Sequence, residues 1–210
     1  MSGDSETLHL PLPPHTISPA ALFSEWVPWH KEALAKVLRV CAPRIYGHLC
    51  FVVSGSEAGN RTLSWDGEEL SSSEGFRYDA AVTFIFSADM FRQALKALRE
   101  VCRKDELYFS PEKLSGLADR VSAAFRKLEE TGGVMRLEIN DPQEPLLFDV
   151  KLGGLLGFEP DVVISMERCD LAALKEGRAT PAGLAEKERI KVKGDPQLFL
   201  QIALIFLQEE

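Results

Sequence analysis

His48 and Cys50 come closest, in residue type and spacing, to a nucleophile and its base. They stand two apart in a stretch that reads as a strand, so their side chains share one face. A working Cys–His pair also needs a third group to orient the base and an accessible, low-pKa thiolate. Nothing in the sequence marks either, and a half-buried strand edge accounts for both residues. The other histidines, His9, His15 and His30, show no metal-ligand spacing of the H-E-x-x-H kind. Gly153-Gly154-Leu155-Leu156-Gly157 could cradle a phosphate, but it lacks the Lys-Ser/Thr of a P-loop and reads as a sheet turn. Glu129, Glu130, Glu167 and Asp170 fall at helix ends, where the first-turn preference for acids explains them as solvated groups. Trp26, Trp29 and Trp65 read as core. The expectation is a protein with no catalytic residues, no metal and no cofactor, and not an enzyme.

The elements that would position these residues follow from pattern and punctuation. Residues 1–17 carry Pro11, Pro13 and Pro14 without an apolar period and read as a flexible lead-in. Ser18-Pro19 reads as a helix N-cap with proline in the first turn. Leu22, Phe23, Trp26, Leu34, Val37 and Leu38 then share a helical face, with a kink or break expected at Pro28. Strands are expected at His48–Ser54, Arg61–Trp65 and Phe76–Phe86, with Ser71–Gly75 as loop. Helix Ala88–Cys102 and strand Leu107–Phe109 follow. Ser110-Pro111 opens a helix striped by Leu114, Leu117, Val121, Phe125 and Leu128, ended by Thr131-Gly132-Gly133. Strands Val134–Ile139, Leu146–Lys151 and Asp161–Met166, helix Asp170–Lys175, strand Ile190–Lys193 and a helix from Pro196 complete the chain.

Composition narrows the function classes. The chain has 210 residues, 45% hydrophobic and 27% charged, with a net charge of −8. That composition is globular. The acidic balance argues against nucleic acid and against lasting attachment to anionic lipid. The apolar run Leu198–Leu207 is too short to span a bilayer, which needs about 20 residues, so no transmembrane segment is expected. Met1–Thr7 is polar and acidic rather than signal-like, and Gln208-Glu209-Glu210 is no peroxisomal address. Cys41, Cys50, Cys102 and Cys169 form no C-x-x-C pair; reduced thiols and a cytoplasmic location are the expectation.

The two halves share an order of landmarks. Asp79 and Asp161 begin apolar strands, Asp89 and Asp170 open the following helices, Leu107 and Ile190 begin short strands, and Pro111 and Pro196 start capped helices. The nearly constant offset points to a tandem duplication of one strand–helix unit.

Pro160-Asp161-Val162-Val163-Ile164-Ser165-Met166, then Asp170–Leu174, then Gly177 to Thr180-Pro181, then Ile190-Lys191-Val192-Lys193-Gly194-Asp195 form a recognisable succession. It resembles the sterol carrier protein type 2 family, whose members hold lipid-like molecules in a tunnel between sheet and helices. Gly132–Leu137 is similar to the family's first strand, Leu146–Lys151 to its second and Leu155–Phe158 to its third-strand region, with helix Leu114–Leu128 as the opening helix. The resemblance is sharpest over residues 132–207; residues 18–110 share it only through the repeat. Two positions depart from the family pattern. Lys187-Glu188-Arg189 stands where a glycine is usual, and Leu184 stands where a bulky aromatic is usual.

The resemblance implies an α/β fold of α+β type, a mixed and mostly antiparallel sheet with helices over one face. It implies a flexible segment 1–17, an N-terminal unit 18–130 and a C-terminal unit 111–210 sharing the linking helix. The implied function is non-enzymatic carriage of a lipid or other apolar small molecule. The implied lining is Phe148, Leu156, Phe158, Ile164, Leu171, Leu174, Leu184, Phe199, Ile202 and Phe206. From Leu198 to Leu207 only Gln201 is polar, so this helix must bury more than the usual stripe. A ligand, the other repeat, a second copy of the chain or a protein partner would cover it. The alternative is therefore a protein-interaction module whose tunnel is filled.

Overall fold

The computed structural model describes the backbone of residues 7–42, 45–55, 57–102, 106–110, 114, 118, 122–123, 125–127, 130–142, 145–153 and 157–207. The chain begins with β1 (Leu8–Pro11). Ser18 caps the first helix as its sequence suggests: its Oγ accepts from the Ala21 amide at 3.0 Å. That helix, α1 (Pro19–Ala21), runs through a π-helical turn (Leu22–Trp26) into α2 (Val27–Cys41). The break expected at Pro28 does not occur. A proline removes an N–H and crowds the carbonyl four residues back. The wider turn just upstream, in which the Val27 amide donates to Leu22 O, absorbs that crowding within one continuous helical run.

β2 (Gly47–Ser54), β3 (Gly59–Trp65) and β4 (Leu70–Glu74) come next, then β5 (Val82–Ser87), α3 (Ala88–Cys102) and β6 (Glu106–Phe109). The expectation of loop at 71–75 and strand at 76–86 is corrected here. Asp66 Oδ1 accepts from the Glu68 and Glu69 amides and closes a turn that returns β4 onto β3, from Trp65↔Leu70 to Arg61↔Glu74. The serines therefore form a polar edge strand, and residues 76–81 cross over the sheet before β5 starts. Residues 114, 118, 122–123, 125–127 and 130–131 are helical. β7 (Gly133–Asn140), β8 (Leu146–Leu152), β9 (Val162–Glu167), α4 (Arg168–Lys175), α5 (Pro181–Glu186), β10 (Lys191–Gly194) and α6 (Pro196–Leu207) follow.

Eight strands form one sheet in the order β10-β9-β7-β8-β5-β2-β3-β4. β2 with β5 and β7 with β9 are parallel; the other neighbours are antiparallel, so the sheet is mixed and mostly antiparallel. β1, drawn from the proline-rich lead-in, pairs with β6 in a separate ribbon, Leu8↔Phe109 to Pro11↔Glu106. One register row, Phe51↔Phe84↔Val150↔Met135↔Val162, crosses the central strands on the face that takes the helices. Phe23 and Val27 of the first helical run, Phe91 and Leu95 of α3, and Leu198 of α6 pack on this face.

The Gly194-Asp195-Pro196 sequence acquires a reason. Asp161 exchanges bonds with β7: its amide donates to Val134 O at 2.8 Å, and its Oδ2 accepts from the Val134 amide at 2.8 Å. Its carbonyl accepts from Asp195 N at 2.9 Å. Gly194 lies against that carbonyl at φ +100, and a Cβ there would sit 1.9 Å from Asp161 O. Asp195 Oδ1 then caps α6 at the Gln197 and Leu198 amides. Gly194→Ala is expected to cost on the order of 2–4 kcal/mol, from backbone strain plus the clash. Gly177→Ala, at φ +69 with open space around it, should cost only about 1–2 kcal/mol. Denaturant midpoints of the two variants check the difference.

Candidate functional site

The space that could receive a molecule lies under the first helical run. Leu34, Leu38 and Cys41 of α2 face Leu49 and Phe51 of β2 and Leu63 and Trp65 of β3. Phe125, from the helical residues before β7, closes one side. The cavity is about 520 Å³, partly open to solvent and almost wholly apolar. Its walls follow from the pattern: Leu34, Val37, Leu38 and Cys41 recur at helical spacing, and alternate residues of the paired strands face them. Burial pushes the Cys41 thiol up from its ordinary range, so the thiol lines the cavity uncharged. Trp65 is 8% exposed, and its indole Nε1 is buried without a hydrogen-bond partner among the described residues.

The opposite face of the sheet carries the chemistry-bearing types. Thr62, Cys50, Thr83, Lys151 and Val134 form one register row there, and each is buried. The segment at 75–81 covers them. Thr62 Oγ1 donates to Gly75 O at 3.0 Å, and the Arg77 amide donates to Cys50 Sγ at 3.3 Å. Cys50 is fully buried. His48 contacts Ser64 Oγ through Nδ1 at 2.8 Å, and its Nε2 lies 4.0 Å from Asp79. Arg77 grips Asp79 with two hydrogen bonds and holds its carboxyl down at about 2. His48 and Cys50 do share a face, but the thiol is sealed under a loop rather than presented. Lys151 is 2% exposed, with its ammonium 5.7 Å from the Phe76 ring centre and 4.8 Å from that of Phe158. Burial pushes its pKa down, opposed by the nearby Cys50.

The ten positions implied by the family resemblance scatter. Ile164 and Phe199 join one cluster around Val162, Leu152 and Leu198, which also takes in Leu49 and Phe125. Phe148 stacks on Phe84 and Phe86 at 6.0 and 6.1 Å. Leu184 is buried, Leu174 half-buried and Leu171 exposed. Phe158 is 49% exposed, on the far face over Lys151. Leu156 and the side chains of Ile202 and Phe206 lie outside the described residues. None of the described ones lines the 520 Å³ cavity. Around the C-terminal strands lies a cavity of about 200 Å³ lined by polar groups that include Asn140, Ser165, Asp170 and Arg189. Asp170, expected at a solvated helix end, is instead buried. Arg189 pairs with it at 2.6 Å (Nη2 to Oδ1) and 3.0 Å (Nε to Oδ2). Of the tryptophans, Trp65 is core, Trp26 lines the cavity and Trp29 is exposed. Among the described residues no helix is long and apolar enough to cross a membrane, and no acid, histidine and cysteine cluster could hold a metal.

The fold is thus a mixed, mostly antiparallel sheet with helices packed on one face and an apolar cavity beneath the first helical run. Residues 114–206 match the model of the SCP-2 sterol transfer family, so the resemblance seen in the C-terminal strands holds over that stretch, less than half of the chain. No curated protein matches the chain. Among solved structures, it is similar to palmitated SCP2L2 from Aedes aegypti, at 18% identity over 41% of this chain and 94% of that one, with TM-score 0.32. It is similar to sterol carrier protein 2 from Yarrowia lipolytica in the apo form, at 14% identity over 42% and 75%, TM-score 0.29. It is also similar to the sterol carrier protein domain 2 of Helicoverpa armigera, at 18% identity over 65% and 93%, TM-score 0.34.

The buried lysine gives a pH test. Its native pKa is lowered from 10.5. Between the lowered value and 10.5 the unfolded chain holds more protons than the native one, so stability rises with pH across that window. Wild-type unfolding free energy minus that of Lys151→Met is expected to climb as pH rises toward 10.5. Denaturant titrations at stepped pH measure the slope.

Proposed function

We propose that this protein binds a lipid-like molecule in the cavity beneath α2 and carries it without chemically changing it. The observation that carries the reading is the cavity itself: about 520 Å³, almost wholly apolar, with walls from helix and sheet. Ligand pockets commonly hold roughly 300–1,000 Å³ and are mostly apolar with few polar anchors. The family match over residues 114–206 supports the same ligand class. The sealed thiol at Cys50 supports the non-enzymatic part. A cytoplasmic setting with reduced thiols fits the free Cys41, Cys50 and Cys169.

The proposal includes two sterol-carrier-like units, 18–130 and 111–210, sharing the helical residues between them. The β2–β3 hairpin with parallel β5 on its flank has a counterpart in the β7–β8 hairpin with parallel β9. Ala81 N donates to His48 O just before β5, as Asp161 N donates to Val134 O just before β9. α3 follows β5 directly, as α4 follows β9. In this reading the N-terminal unit holds the ligand. Phe148, Ile164 and Phe199 are packed residues outside the cavity.

A second reading, a protein-interaction module, draws on α6, where Leu200 is 57% exposed on a helix with little polar surface. Native mass spectrometry of protein from its own host separates the two: a retained apolar mass favours the carrier, a clean apo mass the module.

Filling the cavity tests its placement. Leu38→Trp is expected to weaken binding of a fluorescent fatty-acid or sterol probe at least tenfold while costing about 1–3 kcal/mol of stability. Phe199→Ala is expected to cost on the order of 3 kcal/mol and leave probe binding nearly unchanged. The reverse pattern would put the ligand in the C-terminal unit.

A further inference from the structure

Ser72 meets a backbone group that Pro28 leaves without a helical donor. The wide turn at Leu22–Trp26 gives the Val27 amide to Leu22 O. In that register the next donor, to Phe23 O, would be the amide of residue 28, and proline has none. An α register would have left Ser24 O unserved instead, on an exposed residue that water can reach. The π-helical turn moves the orphan one residue back, to Phe23, which is 3% exposed. A buried carbonyl without a donor costs free energy. Ser72 Oγ donates to it at 3.0 Å.

That bond joins two facing walls of the cavity beneath α2. Leu22, Phe23 and Trp26 of the wide turn line it from the helical side. Ser72 ends the register row Leu49↔Leu63↔Ser72, whose two leucines line it from the sheet. Other polar ties cross the same seam: Lys31 reaches Glu69 at 3.4 Å, and Arg39 donates to Glu68 O at 2.7 Å. Both are exposed, and solvent leaves such surface ties little net worth, whereas the Ser72 bond is half-buried. A π-helical turn interrupts the regular ladder and is a place where a helix bends. Resting on the reading of this cavity as the lipid site, we propose that Ser72 is a positioning residue that latches the first helical run to β4. Release of that latch, with the π-helical turn as hinge, sets how fast ligand enters and leaves. The latch holds the empty and the filled cavity alike, so it governs exchange rates and not affinity.

The test uses the full chain and stopped-flow mixing with a fluorescent long-chain fatty-acid probe. Ser72→Ala is expected to raise the association and dissociation rates about tenfold each, the value of one hydrogen bond, with Kd held within about threefold. Ser72→Thr keeps the hydroxyl and should keep the wild-type rates. In a Pro28→Ala background the helix can serve Phe23 O itself, through the new amide or by returning Val27 to an α register. There Ser72→Ala should change the rates less than about threefold. A second readout needs no ligand: in the empty chain, hydrogen exchange at the Trp26 and Val27 amides should quicken about tenfold in Ser72→Ala. Unchanged exchange at those amides overturns the latch while the cavity reading stands. Unchanged probe rates beside a lower denaturant midpoint overturn it too, since they mark a merely structural bond. So does a Kd weakened through dissociation alone, or a Ser72→Ala effect undiminished by Pro28→Ala. If no apolar probe binds the folded protein, the cavity reading falls and this inference with it.

Discussion

The pairing of β5 with β8 is the constraint on which the rest of the molecule depends. Without it there would be two small sheets, β5-β2-β3-β4 and β10-β9-β7-β8, each with an exposed edge and one helical layer. The pairing runs from Val82↔Leu152 to Phe86↔Phe148 and fuses them. Because side chains alternate along each strand, this register puts Phe84 and Phe86 beside Phe148 and Val150 on one face and Thr83 beside Lys151 on the other. A slip by one residue would bury the lysine among the helices and expose the phenylalanines. The stacked rings of Phe84, Phe86 and Phe148 are therefore both the product of the register and what pins it.

With one sheet fixed, the two ends of its helical face are filled differently. α6 lies directly on the strands: Leu198 packs in the cluster of Val162 and Leu152, and a Cβ on Gly133 would meet Leu198 at 2.7 Å. Close approach there consumes the space. At the other end Phe23, Val27 and Ala35 cluster with Trp65 and Leu70, and Leu34, Leu38 and Leu63 pack against that cluster, yet a space of about 520 Å³ remains between the first helical run and the sheet. Phe125, which belongs both to the packed cluster and to the cavity wall, marks the boundary.

The fold was largely legible because its signals are local. The Ser18 cap and the strand patterns at Val134–Ile139 and Leu146–Lys151 each act within a few residues. β4 was hidden because Leu70–Glu74 has no strand-like pattern of its own. It is a strand only because β3 offers an edge and Ser72 can reach Phe23 O. β1 was hidden for the same reason, since its partner β6 lies about half a chain away. The departure from the family's glycine was visible, and its consequence is a left-handed Glu188 at φ 54, a conformation non-glycine residues adopt at a cost. The neighbouring Arg189 pairs with buried Asp170, which ties the turn down. The cavity was the least legible feature. The apolar face of α2 could be read from spacing, but periodicity says which residues face inward and not how far away the opposite wall stands.

Strand alternation decides on which side of the sheet Cys50, Lys151 and His48 lie. Cys50, Lys151 and His48 alternate with Leu49, Val150 and Gly47 along their strands, so placing the apolar neighbours toward the helices sends the reactive ones away from the cavity. They are then covered by the crossover at 75–81, which β5 requires in order to run parallel to β2, and by the stretch carrying Phe158 before the parallel β9. Parallel neighbours need long crossings, and both crossings deliver an aromatic, Phe76 and Phe158, to the same ammonium. The burial of Cys50 and Lys151 on the face away from the cavity is thus a consequence of strand alternation.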